Sequence, residues 1–146
     1  MGAEQDAYMT VDGKGIPFAG GGLSAGLRDL GRIGQLMLNG GVINGKRLFP
    51  ESVVTSIKQG GDRRDFAKAG YKTLKGGSYR SMWWVLHNEH KAFAARGVHG
   101  QTIYVDPTAQ MVIVRFASFP VAKNAYIDPT SLPAYQAVAE YLMNQQ

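Results

Sequence analysis

Absences in this sequence exclude several kinds of protein. The 146 residues include no cysteine, which excludes disulfides, thiolate metal sites and cysteine nucleophiles. No apolar run approaches the roughly 20 residues that a membrane-spanning helix requires, so we expect no membrane span. The first six residues lack the basic start and the apolar stretch of a secretory signal peptide. The cellular compartment stays unknown from the sequence.

Charge is also sparse, and its balance is mildly basic. Charged residues make up 18% of the chain and hydrophobic residues 45%, which is too apolar for a disordered tail. The length fits one ordinary domain, so we treat residues 1–146 as a single unit. The net charge of +5 makes anionic partners conceivable, and the basic residues concentrate in residues 62–80. Because that segment also carries Asp62 and Asp65 and matches no nucleic-acid-binding motif, we expect a solvated loop and no nucleic-acid partner.

Glycine is the residue present in excess. The chain has 19 glycines, roughly twice the usual share of about 7%. They cluster between periodic segments, as turn residues do, at Gly20-Gly21-Gly22, Gly40-Gly41, Gly60-Gly61 and Gly76-Gly77. The triple glycine precedes a helical pattern and could present N–H groups to an anion. Since no phosphate-binding motif of the Gly-x-x-x-x-Gly-Lys type follows, a simple loop is the preferred interpretation.

The first half of the chain is predicted to be mainly helical. The strongest helical periodicity follows Ser24, a good N-cap residue, and ends at Asn39-Gly40-Gly41, where glycine can take the left-handed cap conformation. Asn44-Gly45 predicts a hairpin-like turn, and Pro50 favours the start of a short helix. Residues 62–79 lose the periodicity and are predicted to form a long loop.

The second half is predicted to form strands and a closing helix. Aromatic and β-branched segments predict strands near residues 82–86, 93–98, 101–105 and 111–116. The last two flank Asp106-Pro107, which favours a tight reversal. A final helix is expected to start after Asp128-Pro129 or at Pro133. The order predicts an α+β fold with helices packed on an antiparallel sheet of three or four strands.

The three histidines are the residues most suited to chemistry on their own. His87-x-x-His90 could hold a metal, but the pair falls in a predicted turn, so a solvated loop is preferred and no metal or cofactor is expected. His99 lies between Gly97 and Gly100, which permit close backbone approach. The residues alone favour a polar side chain at a strand end over a ligand contact for His99.

Several segments together resemble the class C β-lactamase-like serine hydrolases of the β-lactamase and penicillin-binding-protein superfamily. The resemblance covers nearly the whole chain, and its motifs come in the order that the family uses. Within the family, residues 97–101 are most similar to 6-aminohexanoate-dimer hydrolase and related esterases. The segments that carry the resemblance are Gly20-Gly21-Gly22-Leu23 with Asp29-Leu30, Leu48-Phe49-Pro50-Glu51, Met82-Trp83-Trp84, Arg96-Gly97-Val98-His99-Gly100, and Gln101 with Asp106-Pro107.

The resemblance implies a fold and an activity, and one departure limits both. The family's nucleophile and base lie in Ser-x-x-Lys, followed by Tyr-x-Asn, and neither motif occurs in this sequence. The chain is therefore expected to be a C-terminal portion of a β-lactamase-like domain, with the upstream portion of the same protein as its partner. We expect an acyl-enzyme hydrolase of small amide or ester substrates that is inert as this portion alone. The alternative is a non-catalytic binding or interaction domain on the same scaffold.

The resemblance also implies particular site residues. Aligning the Gly-Gln and Asp-Pro positions puts the glycine of the family's third motif at Gly97 and its oxyanion-donating N–H at Val98. Ala95-Arg96-Gly97 then replaces Lys-Thr-Gly, which removes the usual cationic anchor and favours amides or esters over β-lactams. A shifted alignment would put His99 first in a His-x-Gly variant, but Gln101 then replaces the glycine, so the first alignment is preferred. Gly97, His99 and Trp84 are the candidate substrate-binding residues. Trp84 is a candidate wall of the substrate pocket, with core packing an equal alternative.

A portion of such a sheet is expected to expose a strand edge. Unpaired N–H and C=O groups along an edge recruit other strands. We therefore expect self-association, through paired sheet edges or an exchanged element.

Overall fold

The computed structural model describes residues 1–145. Its main sheet is an antiparallel meander of five strands in the order β5-β6-β7-β8-β9. The elements in chain order are β1 (Tyr8–Met9), β2 (Leu23–Ser24), α1 (Leu27–Leu38), β3 (Val42–Ile43), β4 (Lys46–Arg47), α2 (Glu51–Gln59), α3 (Arg63–Lys68), β5 (Ser78–Arg80), β6 (Trp83–Val85), β7 (Phe93–Arg96), β8 (Thr102–Asp106), β9 (Met111–Arg115) and α4 (Asp128–Met143), with single 3₁₀ turns at Lys72–Leu74, Val98–Gly100 and Asn124–Tyr126. Within residues 1–145, no helix combines the length and apolarity that a membrane crossing needs.

Helices cover both faces of the sheet, because side chains alternate along each strand. On one face, Ala94 and Tyr104 pack with Tyr135 and Ala139 of α4. On the other face, the core consists of Phe93 and Val105 together with Val85, Met37 of α1, and Val54 and Ile57 of α2. The predicted α+β class, with helices on an antiparallel sheet, is confirmed. The predicted strand number was low, because β5 lies in the segment that was predicted to be a loop.

Helix α1 begins later than predicted. Ser24 is not its N-cap, because Ser24 lies in β2 and pairs with Tyr8 of β1. Gly26 occupies the N-cap position without a side-chain cap. The carboxylate of Asp29, in the first turn, instead accepts hydrogen bonds from the backbone N–H groups of Glu4 (2.9 Å) and Gln5 (3.2 Å). These bonds tie the N-terminal segment to the first turn of the helix.

Residues 62–79 are ordered elements and not the long loop that was predicted. The Asp62 side chain caps α3 by accepting from the N–H groups of Arg64 and Asp65, and these bonds lower the pKa of its carboxyl. Phe66 is buried and stacks on Tyr71 with ring centroids 4.8 Å apart. The helix was missed because six residues are too few to show a period.

The prediction of a solvated turn was wrong for His90. His90 is buried, and its Nδ1 lies 2.8 Å from Oδ2 of Asp106. Gln136 of α4 places its amide nitrogen 3.0 Å from His90 Nε2. This pattern assigns the neutral ring with hydrogen on Nδ1. A histidine thus ties the Asp106-Pro107 hairpin to the closing helix. That helix starts at Asp128, slightly before the two predicted starts, and Pro133 lies inside it.

Candidate functional site

A groove of about 690 Å³ runs past the end of β7. Its walls are largely apolar, and they come from segments far apart in sequence. They include the N-terminal hairpin, the triple glycine, the β5–β6 turn and the end of β9, with the larger side chains being Met9, Phe18, Leu23, Tyr79, Met82, Trp84, Val98 and Phe116. Met9 and Phe18 could not be predicted, because they lie outside periodic segments, and Phe116 was predicted only as the end of a strand.

The polar part of the groove is the backbone that follows β7. Gly97 is extended (φ −99°, ψ 168°), and its N–H donates to the carbonyl oxygen of Gln101 at 2.9 Å. Its own carbonyl oxygen accepts from Nδ2 of Asn124 at 2.9 Å. Val98 is 61% exposed, and over residues 1–145 its backbone N–H donates to no protein acceptor. A free donor therefore lies beside an apolar groove.

His99 has a different environment from Gly97 and Val98, which both line the groove. It takes a left-handed backbone (φ 58°), and its Nδ1 donates to the carbonyl oxygen of Phe119 at 2.8 Å. Its backbone also bonds in both directions, from His99 N to the Ala122 carbonyl and from Phe119 N to the His99 carbonyl. The ring is thus turned to the segment after β9, where it holds the turn that carries Val98.

Trp84 lines the groove and also packs against a neighbouring side chain of the sheet. Its ring meets Tyr79 edge to face, with centroids 4.7 Å apart. The indole N–H is buried, and within the described part of the chain it has no acceptor. A buried donor without a partner costs about 1–3 kcal/mol, so this wall of the groove carries an energetic cost.

Two arginines at the groove are engaged by protein partners. Arg96 forms a buried ion pair with Asp128, whose other carboxylate oxygen accepts from the Thr73 hydroxyl. Arg115 donates to the Gly100 carbonyl oxygen at 2.9 Å and to the Ser131 hydroxyl. Both residues line the groove, but their guanidinium groups are held by these partners.

A serine–histidine contact lies elsewhere in the molecule. Ser78 Oγ is 2.8 Å from Nε2 of His87 and accepts from the N–H of Gly61 at 3.2 Å. Burial, and then the nearby charge of Arg63, lower the pKa of His87. Ser78 is fully buried, so its hydroxyl is closed to a substrate. The pairing of β5 with β6 creates this contact, and it was missed together with β5.

Comparison with known proteins gives the class first. No family model matches the chain. A solved Bacillus anthracis structure, provisionally named a 6-aminohexanoate-dimer hydrolase, matches 98% of this chain with a TM-score of 0.83 and 39% identity. The architecture is accordingly that of the β-lactamase-like hydrolases.

The curated 6-aminohexanoate-dimer hydrolase of Paenarthrobacter ureafaciens is 40% identical over 121 residues, or 82% of this chain. Over the part of the fold that it shares with them, the chain is a homologue of the 6-aminohexanoate-dimer hydrolases, and the resemblance seen in the sequence is confirmed. The chain spans 31% of the length of the Paenarthrobacter protein and 36% of the Bacillus chain.

Proposed function

We propose that this chain supplies one part of the active site of a serine hydrolase that cleaves amide or ester bonds through an acyl-enzyme. In this proposal the Val98 N–H is one of two donors to the oxyanion. Gly97 and Trp84 line the path of the substrate, and His99 shapes the turn that presents Val98. The single observation that carries the proposal is the unpaired Val98 N–H beside the apolar groove. Fixed N–H donors aimed at developing charge are a main source of acyl-transfer catalysis.

The character of the groove favours an uncharged, alkyl part of the substrate at this point, with any charged ends of the substrate lying elsewhere. Arg96 and Arg115 are held by Asp128 and by the Gly100 carbonyl and Ser131, so neither guanidinium is directed to a ligand carboxylate at this point. The apolar walls suit an alkyl chain. The names of the two relatives specify the dimer of 6-aminohexanoate, a linear amide. We extend amide hydrolysis from those proteins to this chain as part of the proposal.

The chain is proposed to be inert until an upstream portion of the same protein completes it. Acyl transfer needs an activated nucleophile as well as an oxyanion site, and the sequence contains neither Ser-x-x-Lys nor Tyr-x-Asn. A fluorophosphonate probe should leave the isolated chain unlabelled in an intact-mass measurement. Labelling of any serine would contradict the proposed inertness, and peptide mapping would name the residue.

The decisive experiment is complementation. The part of the Paenarthrobacter ureafaciens hydrolase that this chain does not cover is joined upstream of it, and hydrolysis of the 6-aminohexanoate dimer and of p-nitrophenyl esters is measured. Val98→Pro removes the N–H and places the ring Cδ on that nitrogen, and Gly97 already has the extended backbone that precedes proline. Val98→Ala is the matched control that keeps the N–H.

We expect the proline variant to have a kcat about 10²–10³ below that of the alanine variant, the usual loss for one oxyanion donor. Equal kcat values for the two variants would exclude Val98 as a donor. If complementation gives no activity but the isolated chain binds amides in calorimetry, the alternative of a non-catalytic binding domain is favoured.

We also propose that the isolated chain self-associates, with β9 of one copy pairing with β9 of a second copy. β9 pairs with β8 on one side, and no strand of the described residues pairs with its other side. The edge carries Val112-Ile113-Val114, without the lysine or proline that natural edges use against pairing. Light scattering should detect dimers or larger species, and hydrogen exchange of residues 111–115 should slow as concentration rises. A strictly monomeric chain with concentration-independent exchange would contradict this.

A further inference from the structure

The peptide unit between Gly97 and Val98 has its two polar ends in different environments. Residues 1–145 include no cis peptide bond, and in a planar trans peptide the C=O and N–H point in opposite directions. The N–H of Val98 has no protein acceptor over residues 1–145, whereas the carbonyl of Gly97 is bound by Asn124 at 2.9 Å. A side chain that fixes the direction of the carbonyl therefore also fixes the direction of the free N–H.

Little else restrains this peptide from the Gly97 side. Glycine adopts a wide range of backbone angles, so the rotation of the peptide about Gly97 meets no side-chain resistance. The N–H of Gly97 is held by the carbonyl of Gln101. That bond does not fix the Gly97 carbonyl, because the backbone can still rotate between the Gly97 N–H and its carbonyl. Among the described residues, Asn124 is the side chain that donates to this carbonyl.

Asn124 is well placed to act as a fixed donor. It opens the 3₁₀ turn before α4, and its own carbonyl accepts from Ile127 N at 2.9 Å. Its side-chain Oδ1 is buried and has no partner within the described part of the chain. The one bond that its amide makes is the bond to Gly97.

We propose that Asn124 is a positioning residue, which orients the Gly97–Val98 peptide and polarises it so that the Val98 N–H is aimed as a donor into the groove. The polarisation follows because hydrogen bonds in series strengthen one another, by perhaps 10–30% per bond. The orientation stands on the contacts above, whereas its value for catalysis rests on the proposed function.

The orientation is tested on the full 146-residue chain without any activity assay. In ¹⁵N,¹³C-labelled protein, Asn124→Ala should move the Gly97 carbonyl ¹³C resonance upfield, lower the order parameter of the Val98 N–H and change its residual dipolar coupling. Gln101→Leu is the matched control, because it removes two hydrogen bonds to Ala117 and leaves the backbone bonds of Gly97 in place. Unchanged Gly97 and Val98 signals in Asn124→Ala, or equal changes in Gln101→Leu, would overturn the proposal.

The catalytic consequence is tested in the complemented enzyme by a double-mutant cycle. Asn124→Ala should lower kcat about tenfold with little change in KM when Val98 carries its N–H. In the Val98→Pro background the same substitution should cost less than twofold, because no donor remains to be aimed. A residue that only stabilises the fold would give equal losses in both backgrounds, and that result would overturn the catalytic part. If Val98→Pro itself has no effect, the proposed function fails while the NMR result still decides the orientation.

Discussion

Two glycines of α1 should respond in opposite ways to the same substitution. Gly31 and Gly34 both lie inside the helix, where alanine is favoured over glycine by about 1 kcal/mol. A Cβ on Gly31 would meet its nearest atom, Val114 Cγ2, at 4.0 Å. That is an ordinary contact, so Gly31→Ala should stabilise the chain by up to about 1 kcal/mol.

A Cβ on Gly34 would lie 2.4 Å from Val112 Cγ1 and 3.0 Å from Ile103 Cγ2. Carbon atoms pack at about 3.5–4.0 Å, so α1 must move away from β8 and β9. Both neighbours are β-branched and have few alternative rotamers. Overpacking of this kind costs about 1–3 kcal/mol, which outweighs the helix propensity. We expect Gly34→Ala to lower the free energy of unfolding by about 1–2 kcal/mol.

Urea denaturation measures both variants, and thermal melting should separate their midpoints by about 4–12 °C. Val112→Ala should rescue Gly34→Ala in part, because it removes the closest atom, so the double-mutant cycle should give a favourable coupling. A Gly34→Ala variant as stable as Gly31→Ala would refute the close approach of α1 to the sheet. Additive effects of Gly34→Ala and Val112→Ala would refute the contact that we hold responsible.

Two further predictions concern the buried histidine contacts. Asp106→Ala should lower the free energy of unfolding by about 2–4 kcal/mol, since it leaves His90 Nδ1 and Ala109 N without their acceptor. Asp106→Asn should cost less and switch the His90 tautomer, which ¹⁵N chemical shifts would report. Equal losses of stability in the two variants would contradict this prediction. Because the folded pKa of His87 lies below the ordinary 6.5, the unfolded chain binds more protons, so stability should fall as pH drops through about 6.5 and level off below the folded pKa. Arg63→Gln should raise that pKa in an NMR titration, and a downward shift would contradict the assigned cause.

The sequence was sufficient to predict the elements that have a long helical period or a strong turn signal. The α1 stop at Asn39-Gly40-Gly41, the Asn44-Gly45 hairpin and the Asp106-Pro107 reversal all occur as predicted, because glycine permits the left-handed angles that tight turns need and proline fixes φ. The prediction of Ser24 as the N-cap of α1 was wrong because N-cap preference reflects only local sequence, whereas Ser24 lies in β2 and pairs with Tyr8. A tertiary contact overrode the local signal.

The groove could be predicted only in part, for a related reason. Gly97, Val98 and Trp84 could be nominated because a resemblance fixed their place in a motif. Asn124 could not, because its role depends on a hydrogen bond across 27 residues and nothing in its neighbours announces that bond. His90 was misjudged because its partners, Asp106 and Gln136, come together only after the hairpin and α4 have packed.

The polar groups near the groove bear on the proposal that this chain supplies part of a catalytic site. Three of these side chains hold neighbouring elements in place. Arg96 ties β7 to the start of α4, Arg115 ties β9 to Gly100, and Asn124 holds the carbonyl of Gly97. Within residues 1–145 the Val98 N–H keeps no protein acceptor, and it lies at a strand end braced from two sides. If Val98 is the proposed donor, such bracing limits its reorganisation when charge develops, whereas a domain that only bound apolar ligands would gain little from it. Loss of the Val98 N–H should therefore affect kcat far more than ligand affinity.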